Sequence, residues 1–254
     1  MVFLIDMGNT DLTLAAWQNG APAFTARIPT DRSKDAGHYA RAIAGALQSW
    51  GSPTFAGCAL SSVVPPLTGP VAAAMQTATG LSPVLLGYEG DLGLKVLTRD
   101  RIGADMLAGA IAAKKRGAVP AIVADLGTAT TFCAQNAAGD VLGVSIAPGV
   151  ALGLEALVGR ASHLRTVAFE PPDRALGITT AQSMRSGVIL GAASLLEGMF
   201  RRISAELDPA EGAPFLLVTG GLAPLVAPFC QGPVTPCPHL LLEGLYLYYQ
   251  RNRP

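Results

Sequence analysis

This sequence is short of charge. Only 14% of its residues are Asp, Glu, Lys or Arg, and the two signs balance at 18 each. The basic surplus that marks a nucleic-acid partner is therefore missing. Aromatic residues are scarce at 6%, and the three histidines lie far apart. The four cysteines (Cys58, Cys133, Cys230 and Cys237) show no metal-like pairing, so a zinc site is not expected. No apolar run reaches membrane-spanning length unbroken by Gly, Pro or charge. The first residues offer no basic stretch followed by an apolar helix of the signal-peptide kind. The expectation is a cytoplasmic protein with reduced thiols, bound neither to nucleic acid nor to a membrane.

What the chain does have is apolar material. Half of its 254 residues are hydrophobic, enough to bury a substantial core in one large domain or two small ones. The stretch that organises the rest is Asp125 to Phe132, DLGTATTF, which follows the apolar run Pro120 to Ala124. An almost identical plan opens the chain: Val2 to Ile5, then Asp6-Met7-Gly8-Asn9-Thr10, then the alternating Leu12, Leu14 and Ala16. In both, an acid closes a strand-like run and a glycine with hydroxyls follows. The two acids stand close to half the chain apart. We read two related halves, 1–116 and 117–254, each starting with a β-hairpin.

Such a turn has a definite chemistry. Glycine lets the backbone approach a ligand closely. Exposed backbone N–H groups with Thr hydroxyls beside them form a concave anion site. A carboxylate at the strand end repels phosphate directly but holds a hydrated divalent cation that bridges to it. A single copy could be an ordinary hairpin turn. Two copies in the halves of one chain point to a nucleotide site between them.

Around these turns the pattern predicts strands over 2–6, 11–17, 22–28, 54–61 and 83–87, with helices over 35–49 and 68–79. Ser61 to Pro66 reads as a loop, and 88–102 as a poorly patterned connection. Gly103-Ala104-Asp105-Met106 opens an Ala-rich helix to about Lys115. There a carboxylate in the first turn has a plain explanation, since it complements the helix dipole. The second half predicts strands over 120–125, 129–135, 141–147 and 214–219. Its helices run through Leu152 to Leu157, from Thr180 to Leu207, and over 239–250 in the apolar tail.

The duplicated strand–turn–strand resembles the superfamily of actin, heat-shock ATPases and sugar and acetate kinases. This implies an α/β fold of two ribonuclease-H-like halves, each a mixed sheet flanked by helices. Within it, Asp6-x-Gly8-Asn9-Thr10, Ser61-Ser62-Val63-Val64-Pro65, Gly103-Ala104-Asp105, Asp125-x-Gly127-Thr128, Ala147-Pro148-Gly149 and Thr219-Gly220-Gly221 resemble type III pantothenate kinase, in that family's order. The resemblance implies phosphoryl transfer from ATP to pantothenate, the first step towards coenzyme A. It gives Asp105 as catalytic base and Asp6 as holder of Mg2+, usually through water. Gly8, Asn9 and Thr10 would cradle the phosphates, Thr128 would contact ATP, and Gly220 and Gly221 would lie near adenosine. Gly103, Ala104, Met106 and Thr180 fall where the family meets its acceptor, and Asp125 would line a site for K+ or NH4+. A homodimer is implied as well.

Three departures fall on the acceptor segment. The family follows Gly-Ala-Asp with an arginine, where this chain has Met106. The stretch before it is shortened, reading Val96-Leu97-Thr98-Arg99-Asp100, and Ile178 and Thr179 replace the polar residues usual before Thr180. A family member with an altered or lost acceptor site is therefore the competing expectation. It would act on another small hydroxy acid or as a nucleotide-binding regulatory protein.

Overall fold

A computed structural model of the chain describes residues 1–161 and 163–253. Packing divides them into two compact units. The first holds Met1–Lys95, Arg99–Lys115 and the stretch from His239 onward, and the second holds Val96–Thr98 and Arg116–Pro238.

The first unit is built on a five-stranded sheet ordered β3-β2-β1-β4-β5. Its strands are β1 (Val2–Met7), β2 (Asp11–Gln18), β3 (Ala21–Pro29), β4 (Cys58–Ser62) and the two-residue β5 (Val84–Leu85). β1 runs antiparallel to β2 and parallel to β4, so it is central and buried along nearly its whole length. Helices α1 (Ala36–Ser49) and α2 (Pro65–Thr79) cover one face. There Phe3, Ile5 and Met7 of β1 meet Tyr39, Ile43, Val71 and Met75. Asp35 caps α1, its carboxylate accepting from the His38 N–H at 2.8 Å. α3 (Ala104–Lys115) and α7 (Leu240–Asn252) pack on each other, α3 against β4 and α7 against β1 and β4. The Ala-rich composition of α3 has its reason here. A side-chain carbon at Gly244 of α7 would collide with the Ala108 carbonyl of α3, so the two backbones meet almost directly.

The second unit repeats the plan as β10-β9-β6-β7-β8. Its strands are β6 (Ala121–Leu126), β7 (Ala129–Gln135), β8 (Val141–Pro148), β9 (Phe215–Thr219) and β10 (Thr235–Pro236). β6 is antiparallel to β7 and parallel to β9, as β1 is to β2 and β4. Helices α4 (Val150–Arg160), α5 (Thr180–Ser204) and the short α6 (Ala223–Val226) complete it. Ile122, Ala124, Phe132, Leu196, Val218 and Val226 form its core. Each large side chain so buried contributes roughly 1.5–3 kcal/mol.

Several boundaries differ from the sequence expectation. Pro65 and Pro66 begin α2 rather than a loop, because a proline at the first helical position has no N–H to lose and a suitable φ already set. β4 starts only at Cys58, β5 shrinks to a residue pair, and α5 stops at Ser204. The last helix packs within the first unit, where a contiguous division at 116 had put it with the second half.

Candidate functional site

In the first unit the end of β1 gathers the chemistry. Asp6 pairs with Thr13 across β2 and with Ser61 across β4, and the residue is partly buried. Burial raises its pKa from 3.8 to about 6. The Ser61 hydroxyl tempers the rise, although it makes no hydrogen bond of full geometry, and the charge of Asp105 adds to it. The two acids thus stand within electrostatic reach of each other, despite lying on different elements of the unit.

Asp105 sits in the first turn of α3, and burial raises its pKa as well. The Met106 backbone N–H, donating to Oδ1 at 2.7 Å, works in the opposite direction. A side chain at Gly103 would run into that same Oδ1 and approach Val63 Cγ1 at 3.4 Å. Gly103 therefore leaves the carboxylate its place beside the segment that follows β4. Ala104 and Met106 flank Asp105, both partly buried.

The turn between β1 and β2 is closed by the Gly8 N–H donating to the Asp11 carbonyl at 2.9 Å, which leaves Asn9 and Thr10 exposed. The loop after β3 lies against it. The Thr30 hydroxyl donates to the Gly8 carbonyl and the Thr30 N–H to the Thr10 carbonyl, each at 2.8 Å. Arg32 donates to Asn9 Oδ1 at 3.0 Å. Sequence reasoning missed Thr30 and Arg32. They lie just past a strand end, in a polar run with no periodic signal.

In the second unit Asp125 occupies the equivalent place, pairing with Thr131 across β7 and Thr219 across β9. Gly220, at φ 97°, lies where any side chain would strike Asp125 Oδ1 and the Leu126 backbone. Gly149, capping α4, packs so closely on the carbonyls of Gly127 and Thr128 that a side chain would collide with both. Asp125, Thr128, Gly149 and Gly220 are thus brought together around one turn, with Gly221 next to it. Thr130 follows, 1% exposed, its hydroxyl without a protein partner among the described residues. Thr180 stands apart at the exposed start of α5, where Thr179 makes the cap by accepting from the Gln182 N–H at 3.2 Å.

Two sheets of one strand order, each with an acid and a glycine turn at the end of its central strand, define the class: the fold of actin-like ATPases and sugar kinases. Solved structures of that shape include the activator of 2-hydroxyisocaproyl-CoA dehydratase from Clostridium difficile with bound ADPNP, at TM-score 0.54 and 9% identity over 97% of this chain and 93% of the other. The ethanolamine utilization protein EutJ from Carboxydothermus hydrogenoformans matches at TM-score 0.58 and 18% identity, over 97% and 89%. Sequence narrows the class to a family. The type III pantothenate kinase profile matches residues 2–202. Type III pantothenate kinases of Roseiflexus castenholzii and Pelobacter propionicus are 37% and 35% identical, each over 100% of both chains. The chain belongs to the type III pantothenate kinase family.

Proposed function

We propose that the chain phosphorylates pantothenate with ATP, giving 4′-phosphopantothenate, the first step of coenzyme A biosynthesis. One observation carries the reading: two partly buried acids, Asp6 and Asp105, both have raised pKa values, that of Asp6 in part through the charge of Asp105, in a unit whose glycine turn exposes Asn9 and Thr10. In-line phosphoryl transfer asks for little else than a metal-holding carboxylate, donors for phosphate oxygens and a base at the acceptor hydroxyl. Asp105 takes the proton of the primary hydroxyl, and its burial makes it a better acceptor of that proton. Gly8, Asn9 and Thr10 hold the phosphates, Thr128 contacts ATP, and Gly220 and Gly221 border the adenosine. Gly103, Ala104, Met106 and Thr180 line the acceptor.

The donor set fits a hydrated Mg2+ at Asp6. Mg2+ keeps most of its waters and takes phosphate oxygens rather than a protein cage, so a single carboxylate is enough to hold it. When bound, the ion neutralises charge on the transferring phosphoryl group. Asp125 would line the site of a K+ or NH4+ ion, in a turn whose Gly127 and Thr128 carbonyls crowd Gly149. Self-association into a homodimer is supported by β8, an edge strand whose Leu142, Val144 and Ile146 expose one apolar face. Among the described residues no helix is long and apolar enough to cross a membrane.

Met106 favours a second reading, in which the acceptor is another small hydroxy acid or the chain is a nucleotide-binding regulator. Coupled ADP release over a panel of hydroxy acids, in K+ and in Na+, tests both. Release that depends on pantothenate and is faster in K+ is expected. Release driven better by another acid would replace the acceptor, and release indifferent to every acid would favour the regulator.

A further inference from the structure

The β3–α1 loop has no counterpart in the second unit. β3 and β8 both end in a proline, Pro29 and Pro148, and each proline pairs with the first residue of the neighbouring strand, Asp11 and Ala129. After Pro148 the chain passes through Gly149 straight into α4. After Pro29 it makes an excursion, Thr30 to Asp35, before α1. That excursion is a built structure. Thr30 ties it to Gly8 and Thr10, Asp31 binds Ser33 through both its N–H and its hydroxyl, and the buried Tyr39 hydroxyl bonds the Asp31 backbone.

Arg32 is the residue this loop delivers to the turn. The other cations nearby are answered by acids: Arg27 by Asp11 at 3.9 Å and Lys34 by Asp31 at 3.8 Å. Among the described residues no carboxylate pairs with Arg32, whose partner at 3.0 Å is the neutral side-chain oxygen of Asn9. A guanidinium held by one amide keeps donors to spare, in a fork that suits phosphate oxygens. Asp6 lies near the end of the strand that leads into this turn, and its charge would repel a polyphosphate.

We propose that Arg32 is a further phosphate-contacting residue, donating from its guanidinium to an oxygen of the nucleotide's polyphosphate at the Gly8–Thr10 turn. This rests on the reading of that turn as the phosphate site. Asn9 positions the guanidinium before the nucleotide arrives, and the contact offsets negative charge on the polyphosphate.

The test compares wild type, Arg32→Gln, Arg32→Lys and Lys34→Gln for direct binding of ATP and of adenosine, and for ADP release. Arg32→Gln is expected to weaken ATP binding roughly 10- to 150-fold, the range for a hydrogen bond to a charged group. Adenosine affinity and KM for pantothenate should stay at the wild-type value, which a merely structural role would not ensure. Arg32→Lys should fall between, keeping the charge and losing the fork. Lys34→Gln should bind ATP like the wild type. ATP affinity unchanged in Arg32→Gln would overturn the proposal and leave the turn's role standing. ATP and adenosine weakened equally would overturn it too, since the loss would not be one of phosphate. A wild type that binds adenosine and ATP with equal strength would sink the phosphate reading of the turn itself.

Discussion

Asp6 faces Thr13 on one side and Ser61 on the other, and Asp125, at the same place in the second sheet, faces Thr131 and Thr219. From that shared register the surroundings diverge. The first turn runs through Gly8, Asn9 and Thr10, and a second acid, Asp105, comes close enough to raise the Asp6 pKa. The second turn is one residue shorter, closed by the Gly127 N–H on the Ala129 carbonyl at 3.1 Å, and backbone crowds it at Gly149 and Gly220. One copy keeps Asn9 and Thr10 exposed, with two acids of raised pKa in the same unit. The other is crowded, Gly149 against the carbonyls of Gly127 and Thr128 and Gly220 against the Asp125 carboxylate. The two units share one frame, and what packs on each turn differs, in keeping with the proposed division of phosphate and proton transfer to the first and cation holding to the second.

The comparison breaks most visibly at Asp105. Asp105→Asn keeps the shape and removes the proton acceptor, so kcat for ADP release should fall about 10²- to 10⁴-fold. Were Asp105 there only for the helix dipole, the change would cost about 0.3–1 kcal/mol of stability and leave turnover alone. A folded variant retaining most of its turnover would return the first turn to the status of a plain hairpin.

Crowding in the second turn makes the next largest difference. Alanine at Gly220 meets both a left-handed φ of 97° and the Leu126 backbone, and at Gly149 it meets two carbonyls. The left-handed conformation alone costs roughly 1–2 kcal/mol and the overpacking another 1–3. Alanine at Gly8 would meet only the Asp11 carbonyl, at 3.2 Å, so a smaller shift accommodates it. In urea denaturation Gly220→Ala should lose about 2–5 kcal/mol, Gly149→Ala, whose φ of −67° suits alanine, about 1–3, and Gly8→Ala about 1 or less. Equal losses at all three would erase the asymmetry between the turns.

Much of this was legible in the sequence because it is local. The acid–glycine turns, the alternation in β2 and the Ala-rich start of α3 are written in neighbouring residues. The repeat of strand order followed from the repeat of motif. What was not legible is long-range. Nothing near Asp6 announces that Ser61 will pair beside it, or that Asp105 will come close enough to raise its pKa. Thr30 and Arg32 look like any polar loop until the hydrogen bonds to Gly8, Thr10 and Asn9 are seen. The placement of α7 within the first unit depends on a glycine, Gly244, meeting Ala108 from far along the chain.

The acceptor side offers a finer test. Met106 has no donor for a carboxylate, and Arg101 of the shortened segment is engaged elsewhere, 3.4 Å from Glu89 and stacked 5.0 Å over the Tyr88 ring. That pair is exposed and weak, so Arg101 can be drawn away at little cost. A guanidinium at position 106 supplies a bidentate charged partner worth roughly 1.5–3 kcal/mol, or about 10- to 150-fold in affinity. Met106→Arg should lower KM for pantothenate by that factor if the pocket keeps its family shape. An unchanged and already low KM would mean the acid is held by another basic residue.

The smallest effect concerns stability and separates the two turns by their acids. The Asp6 carboxyl has a pKa of about 6 in the folded protein against 3.8 ordinarily, so folding favours its protonated form. The associated stability is fully present below about pH 4 and is lost as pH rises through about 6. Asp6→Asn removes that loss, since the amide carries no charge at any of these pH values. Measured without Mg2+, the stability of Asp6→Asn relative to wild type should therefore climb between pH 4 and 6 by on the order of 1–3 kcal/mol. MgATP should then stabilise the wild type and fail to stabilise the variant, because the carboxylate that costs stability when empty-handed is the one the cation needs. Asp105→Asn should shift the same climb to lower pH, as it takes away the neighbouring charge that helps raise Asp6. A difference that stays flat from pH 4 to 6 would mean that water reaches the Asp6 carboxyl freely, and that the first turn is not the desolvated pair of acids on which its contrast with the second depends.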